Sequence, residues 1–120
     1  MNFLNVQTIK YLAVCGLFLA AAAFSVLAEA ATRDEFVAPN ASKFYTYHAD
    51  EDETFRVVIR GDGDTDVDLI VRGPSGNRMC QSLGSSDRER CVVTSPNGGK
   101  YRIEVRNLGD VSNLVNLRLD

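Results

Sequence analysis

The sequence predicts an all-β protein in which about seven or eight antiparallel strands form a two-layer β-sandwich. Three observations lead to this fold class. From residue 42 onward the chain divides into short segments in which apolar and polar residues alternate. Turn residues separate these segments, and apolar residues at helical spacing do not persist for three turns. Alternation of period two gives each strand one apolar face, which a sandwich buries between its sheets.

Apolar rows define the individual strands. Phe55, Val57 and Ile59 alternate with more polar neighbours, and the same pattern recurs in three later segments. The seven predicted strands are residues 43–48, 54–60, 67–72, 78–81, 91–94, 101–106 and 114–119. Between them, segments 61–64, 73–77 and 96–99 are rich in glycine, proline and asparagine, which suit tight reversals of the chain.

The N-terminal segment has the layout of a secretory signal peptide. Lys10 precedes an apolar run over residues 11–27, and the small residues Ala28 and Ala30 follow. We expect cleavage after Ala30, with cleavage after Ala28 as the close rival, so residues 1–30 are the predicted leader. The alternative is an uncleaved membrane anchor, because the run approaches the roughly 17 residues that a spanning helix needs. A cleaved leader predicts a periplasmic or secreted protein.

Cleavage would leave about 90 residues, enough for one domain. We divide them into an N-terminal lead-in, residues 31–41, and the sandwich, residues 42–120. The remaining cysteines are Cys80 and Cys91, and an even pair in an exported protein predicts a disulfide. Closing a loop of this size is worth roughly 3 kcal/mol in chain-entropy estimates. The alternative is two buried free thiols, whereas a zinc site is disfavoured because His48 is the single histidine.

Net charge argues against nucleic acid as a partner. The chain has 13 basic and 16 acidic residues, a formal balance of −3. Proteins that bind nucleic acid usually carry a basic excess on the binding domain. We therefore predict no nucleic-acid binding, and no membrane contact once the leader is removed.

Several short motifs resemble one bacterial family. Residues 61–71, Gly-Asp-Gly-Asp-Thr-Asp-Val-Asp-Leu-Ile-Val, are similar to the glycine/aspartate loop and Asp-x-Asp-Leu-x-Val strand of the pre-peptidase C-terminal domain family. Residues 73–77, Gly-Pro-Ser-Gly-Asn, resemble the turn that follows that strand, and residues 99–105 resemble its Gly-x-Tyr-x-x-x-Val strand. The resemblance covers roughly residues 43–119, most of the chain after the leader.

The resemblance implies a jelly-roll-like β-sandwich. Such domains are usually appended to secreted peptidases and other exported enzymes as non-catalytic accessory modules, and some bind substrate or calcium. The residues after the leader suffice for one such domain, so we expect a module without an attached enzyme. The module would then act alone, on a separate partner, or as a structural piece.

Alternating aspartates form the most specific local feature. Asp62, Asp64, Asp66 and Asp68 place a carboxylate at every second position. A tight glycine-containing loop can bring such oxygens together on a calcium ion, which prefers six to eight oxygen ligands. The alternative is an acidic turn that caps a strand through backbone hydrogen bonds. The loop is not an EF-hand, because Gly73 occupies the twelfth position, where that motif needs glutamate.

Two further surfaces are candidates for binding. Tyr45 and Tyr47 lie two residues apart and so share one side of a strand, where they could stack on a sugar or peptide. The alternative is that both pack at the edge of the sandwich. Arginines at outward strand positions could form a stripe for an anionic polymer, but cross-strand pairing with Asp68 and Glu104 is the interpretation we favour. These arginines are Arg56, Arg60, Arg72, Arg102, Arg106 and Arg118.

The sequence predicts a protein that is not an enzyme. Hydrolytic catalysis needs a nucleophile, a base and an oxyanion site in one cleft, and no serine elbow or free-thiol motif is present. We expect a non-catalytic binding module whose partner is an exported protein or an extracellular polymer, with calcium as the candidate ligand of the aspartates. The alternatives are a structural or self-associating envelope protein and a regulator of a separately encoded exported protease.

Overall fold

The computed structural model describes residues 24–27, by their backbone, and residues 32–120. Most of the predicted leader, including both cleavage positions, lies outside these ranges. The strands are β1 (Phe24–Leu27), β2 (Thr32–Val37), β3 (Ser42–Ala49), β4 (Glu53–Arg60), β5 (Val67–Arg72), β6 (Arg78–Ser82), β7 (Arg88–Ser95), β8 (Gly99–Asn107) and β9 (Asn113–Leu119). Within the described ranges there is no helix of the length and apolarity that a membrane crossing requires.

The strands form two sheets. Sheet A has the order β1-β3-β8-β5-β6, and sheet B has the order β2-β9-β4-β7. Every pairing is antiparallel except that of β1 with β3. The predicted all-β, two-layer antiparallel sandwich is confirmed.

The core lies between the two sheets and consists of the predicted apolar rows. Leu69 on β5, Ile103 on β8 and Ile59 on β4 are fully buried there. Phe55 links the layers, since its ring centroid lies 4.8 Å from that of Tyr47 and 5.2 Å from that of Tyr101. Period-two alternation therefore identified the buried face of each of these strands correctly.

The predicted disulfide joins the two sheets. Cys80 on β6 and Cys91 on β7 are bonded, with their Cα atoms 5.9 Å apart. Strand β6 is at the edge of sheet A and β7 is at the edge of sheet B. The bond therefore ties the layers together along one side of the sandwich.

Two strands lie where the sequence analysis placed none. Residues Thr32–Val37, assigned to the lead-in, form the edge strand of sheet B and pair with β9. Their side chains are exposed or half-buried except for Val37, so the segment shows no apolar row. Strand β1 lies inside the predicted leader, and its backbone pairs in parallel with residues Phe44 to Tyr47 of β3.

Candidate functional site

Four loops meet at one end of the sandwich, which we call the loop end. They are residues 38–41, 61–66, 83–87 and 108–112. Backbone hydrogen bonds connect them in series: Asn40 N–H donates to Gly109 O at 2.9 Å, Leu108 N–H to Asp66 O at 3.0 Å, and Gly61 N–H to Asp87 O at 2.7 Å. The loops thus support one another instead of extending separately into solvent.

The amide of Asn107 is the central connection of the loop end. The residue is fully buried. Its Oδ1 accepts from Thr65 Oγ1 at 2.8 Å and from Gly109 N–H at 2.9 Å. Its Nδ2 donates to three backbone carbonyls, those of Val37 at 3.1 Å, Ala38 at 3.3 Å and Val111 at 2.8 Å. One side chain therefore fixes three of the four loops.

A second buried amide, Asn113, holds the aspartate-rich loop from the other side. Its Nδ2 donates to Thr65 O at 3.2 Å and to Thr65 Oγ1 at 2.8 Å. Its Oδ1 accepts from Asp62 N–H at 3.0 Å. The sequence predicts no structural role for either asparagine, because nothing in a single sequence marks an amide as buried.

Asp62 takes part in loop packing through its carboxylate. It accepts from Leu114 N–H at 2.8 Å and from Asp64 N–H at 3.1 Å. The bond from Leu114 is the main reason that the pKa of Asp62 lies below its ordinary value. Both contacts agree with the acidic-turn alternative, in which a carboxylate caps backbone N–H groups.

The other aspartates of the alternating motif occupy different environments. Asp64 is exposed, whereas Asp68 is 6% exposed on the outer face of β5. Asp66 and Asp68 each have a buried oxygen that makes no hydrogen bond to the described part of the chain. Among residues 24–27 and 32–120, no group of three or more acidic, histidine or cysteine side chains has the arrangement of a metal site. Calcium binding by the four aspartates stays a prediction.

Burial makes Asp68 sensitive to pH. Desolvation raises its pKa above the ordinary value, and the neighbouring charges of Asp66 and Glu89 raise it further. The folded state therefore holds the proton more tightly than the unfolded state. Stability from this group is present below the unfolded-state pKa and is lost as the pH rises through the folded-state pKa.

We expect Asp68→Asn to raise the free energy of unfolding at pH 7 by about 1 kcal/mol, since it removes a poorly paired buried charge. At pH 3 the gain should be smaller, because the carboxyl is largely protonated in both states. Urea unfolding at the two pH values measures the difference. Asp64→Asn, at an exposed position, is the control. An equal gain at both pH values, or a loss at pH 7, would contradict this account.

Tyr45 and Tyr47 lie in the core. Their side chains are 2% and 1% exposed, and both face sheet B from β3. The Tyr47 hydroxyl donates to the carboxylate of Glu53, and burial raises the pKa of Tyr45. In this arrangement neither ring is open to a ligand at the surface. The packing alternative describes them better, although they lie deeper than the edge of the sandwich.

Within the described part of the chain, only some of the outward arginines form ion pairs with acidic residues. Arg106 pairs with Glu104 at 3.1 Å, but both residues lie on β8, so this is a contact within one strand and not the predicted cross-strand pair. Arg56 and Arg118 pair instead with Asp120, at 2.8 and 3.3 Å. The other three predicted arginines form no ion pair with any residue in the described ranges. These are Arg60, Arg72 and Arg102.

Large apolar side chains are exposed at the loop end. Phe36 is 65% exposed and is the cross-strand partner of Leu114, which is 39% exposed. In the 108–112 loop, Leu108 and Val111 are 46% and 47% exposed. We call these four side chains the apolar rim. The buried amides hold its supporting backbone in place, and Asp62 lies beside it.

Comparison with known proteins relates the chain to others by fold alone. No protein-family model matches the sequence, and no curated protein matches it. The pre-peptidase C-terminal domain of a collagenase from Bacillus anthracis superposes with a TM-score of 0.70 at 10% identity, covering 81% of this chain and 94% of that one. At this identity the likeness establishes the sandwich fold that the sequence motifs predicted, and it does not establish family membership.

Two further solved structures share the fold. PliG of Aeromonas hydrophila, a periplasmic inhibitor of g-type lysozyme, gives a TM-score of 0.57 at 14% identity, covering 81% of this chain and 96% of that one. CorA, a surface-associated copper-binding protein of Methylomicrobium album, gives 0.65 at 7% identity with the same coverage. Proteins with this fold thus include exported ones with different roles.

Proposed function

We propose that this protein is an exported, non-catalytic binding module that recognises a partner protein through its loop end. The apolar rim is the observation that carries the proposal. Exposed aromatic and aliphatic side chains surrounded by polar groups are the usual anatomy of a protein interface. Phe36 is the most exposed of the four and is the natural anchor residue.

The buried amides favour binding because they order the loop end in advance. Asn107 bonds to the backbone of the loop that carries Leu108 and Val111, and Asp62, whose N–H donates to Asn113, accepts from Leu114 N–H. A partner would then lose little free energy to loop ordering, which is a major cost of association. The carboxylates of Asp62 and Asp64 beside the rim favour a partner surface with basic groups around an apolar centre.

The predicted leader and the disulfide support export, since disulfides persist outside the reducing cytosol. Fold neighbours described as periplasmic or surface-associated agree with that location. An accessory domain and an enzyme inhibitor among the neighbours agree with a role that is not catalytic. A protein target, such as an enzyme that the module restrains, suits both the neighbours and the apolar rim.

Site-specific photocrosslinking in cells tests the proposal. A photoreactive residue at Phe36 or Val111 should capture one defined protein, whereas the same residue at Asn97, in an exposed turn at the opposite end, should not. Capture of a second copy would instead favour the self-association alternative. Equal capture from both ends would contradict recognition by the loop end.

Substitution at the rim should weaken that partner's binding. We expect Phe36→Asp to reduce the affinity at least about thirtyfold, as removal of an interface anchor does. Asn97→Asp adds the same charge at the opposite end and should leave the affinity unchanged. Titration calorimetry with the captured partner supplies the affinities.

A g-type lysozyme is one enzyme to assay directly. If it is the target, its inhibition by this protein should depend on Phe36.

A further inference from the structure

Three arginines stand in one line across the outer face of sheet A. In the strand register, Arg72 on β5 is the direct partner of Arg78 on β6 and also of Arg102 on β8. We call these three residues the arginine row. Neighbouring strands lie about 4.8 Å apart, so the row extends about 10 Å across the sheet.

The row places like charges opposite one another, and the nearby carboxylate of Glu104 offsets only part of that charge, since it interacts with Arg72 but forms no ion pair with it. Such cross-strand pairs destabilise a sheet. Within residues 24–27 and 32–120 no acidic side chain forms an ion pair with any of the three. Glu104, on the adjacent cross-strand position, is already engaged, because it accepts from Ser42 Oγ at 2.7 Å and from Arg106. The fold therefore tolerates a local excess of positive charge.

Uncharged groups hold the arginine row in place. The guanidinium of Arg102 lies 4.8 Å from the ring centroid of Phe44, and Arg78 Nη1 donates to Gln81 Oε1. Arg72 is half-buried, and its Nη1 is buried without an acceptor in the described part of the chain. The exposed guanidiniums of Arg78 and Arg102 are thus oriented by uncharged groups, which prepares them for an anionic ligand, and the half-buried Arg72 adds positive charge between them.

We propose that the arginine row binds a linear polysaccharide that carries carboxylates. Guanidinium groups match carboxylates in bidentate geometry. A uronic-acid chain carries one carboxylate on each sugar, so a short stretch of it offers several carboxylates to the row. This site lies on a sheet face, apart from the loop end, so it is independent of the protein-binding role proposed above.

Other polyanions fit the surface less well. On β8 the exposed Lys100 precedes Arg102 on the same face and Glu104 follows it, so the positive charge forms a narrow band that Glu104 and Asp68 bound on one side. Together with a net charge of −3, these carboxylates repel a broad negative surface such as a duplex or an anionic bilayer. Single-stranded nucleic acid needs open aromatic faces for base stacking, and on this face Arg102 covers Phe44.

Binding of a defined probe to the protein purified after export tests the assignment. The probe is a hexamer of galacturonic acid, and the comparison ligands are a neutral hexasaccharide, a single-stranded oligonucleotide and vesicles containing anionic lipid. Variant one combines Arg72→Gln, Arg78→Gln and Arg102→Gln. The matched control combines Arg60→Gln, Arg88→Gln and Arg90→Gln, which removes the same charge from the exposed outer face of sheet B.

We expect the uronate hexamer to bind the wild type and the control, with affinity that falls as salt rises. Variant one should lose about a hundredfold or more, and Arg102→Gln alone about tenfold. Thermal unfolding of variant one should occur at an unchanged or higher temperature, because like-charge repulsion is relieved. That measurement separates lost binding from lost folding.

Five results would overturn the proposal. The hexamer fails to bind the wild type, the neutral sugar binds equally well, both triple variants lose affinity alike, or Arg102→Gln in a folded protein has no effect. If the oligonucleotide or the vesicles bind more tightly than the hexamer and depend on the same arginines, the polysaccharide assignment is wrong.

Discussion

Replacing Asn107 by aspartate should lower the free energy of unfolding by about 3 kcal/mol or more, because a buried network loses its donor. Aspartate has nearly the same shape as asparagine but cannot, when ionised, donate to the carbonyls of Val37, Ala38 and Val111. It also places a charge at a position with no solvent exposure. Aspartate can still accept from Thr65 and Gly109, so the loss falls on the donor bonds that hold Val37, Ala38 and Val111.

Urea unfolding followed by circular dichroism measures this effect. Asn97→Asp, at an exposed turn position, makes the same chemical change and should alter the free energy of unfolding by less than about 0.5 kcal/mol. The Asn107→Asp protein should also regain stability as the pH falls and the new carboxyl is protonated. A change at Asn107 no larger than that at Asn97 would show that the amide network contributes little.

Removing the disulfide should lower the free energy of unfolding by roughly 3 kcal/mol, the chain-entropy value for a loop of this length. Cys80→Ala combined with Cys91→Ala makes the change without burying a new polar group. Cys91 is 1% exposed and faces the core, so the double variant also loses some packing there. Thermal unfolding should shift to a lower temperature by several degrees or more.

A reducing agent supplies the internal control for the disulfide. It should destabilise the wild type by an amount close to the effect of the double variant, and it should leave the double variant unaffected. Comparing urea midpoints with and without reductant provides both values. Equal stability of the oxidised and reduced wild type would contradict a structural role for the bond.

The sequence predicts the sandwich because its central strands obey one local rule. Rows such as Phe55, Val57 and Ile59 lie opposite the outward Arg56 and Arg60, with Val58 as an apolar exception, and the structure buries those rows between the sheets. Strand β2 does not show this alternation of apolar and polar residues. It is held by backbone pairing with β9 at the edge of sheet B, and a largely exposed edge strand needs no apolar row.

The candidate sites depend on contacts between residues distant in sequence, so patterns alone reveal them poorly. Asn107 acquires its role only where loops from four parts of the chain meet. The alternation of Tyr45 and Tyr47 shows that they share a face, and only the position of sheet B shows that this face is buried. The arginine row depends on the register of β5 with β6, which shifts next to Arg72. An irregularity of that kind leaves no periodic signal in the sequence.

The bond between Cys80 and Cys91 also bears on when the protein becomes stable. On the proposed route of export the chain is made in the reducing cytosol, where the two thiols would stay separate, so a newly made chain would lack a contribution of roughly 3 kcal/mol out of a typical total of 5 to 15. Without the roughly 3 kcal/mol from the bond, the unfolded form is populated about a hundredfold more than in the oxidised protein. Unfolded chains are the ones that can be threaded through a narrow export channel. For an exported protein, oxidation on the far side of the membrane would then stabilise the fold only after transport. That stabilisation would make the transport harder to reverse.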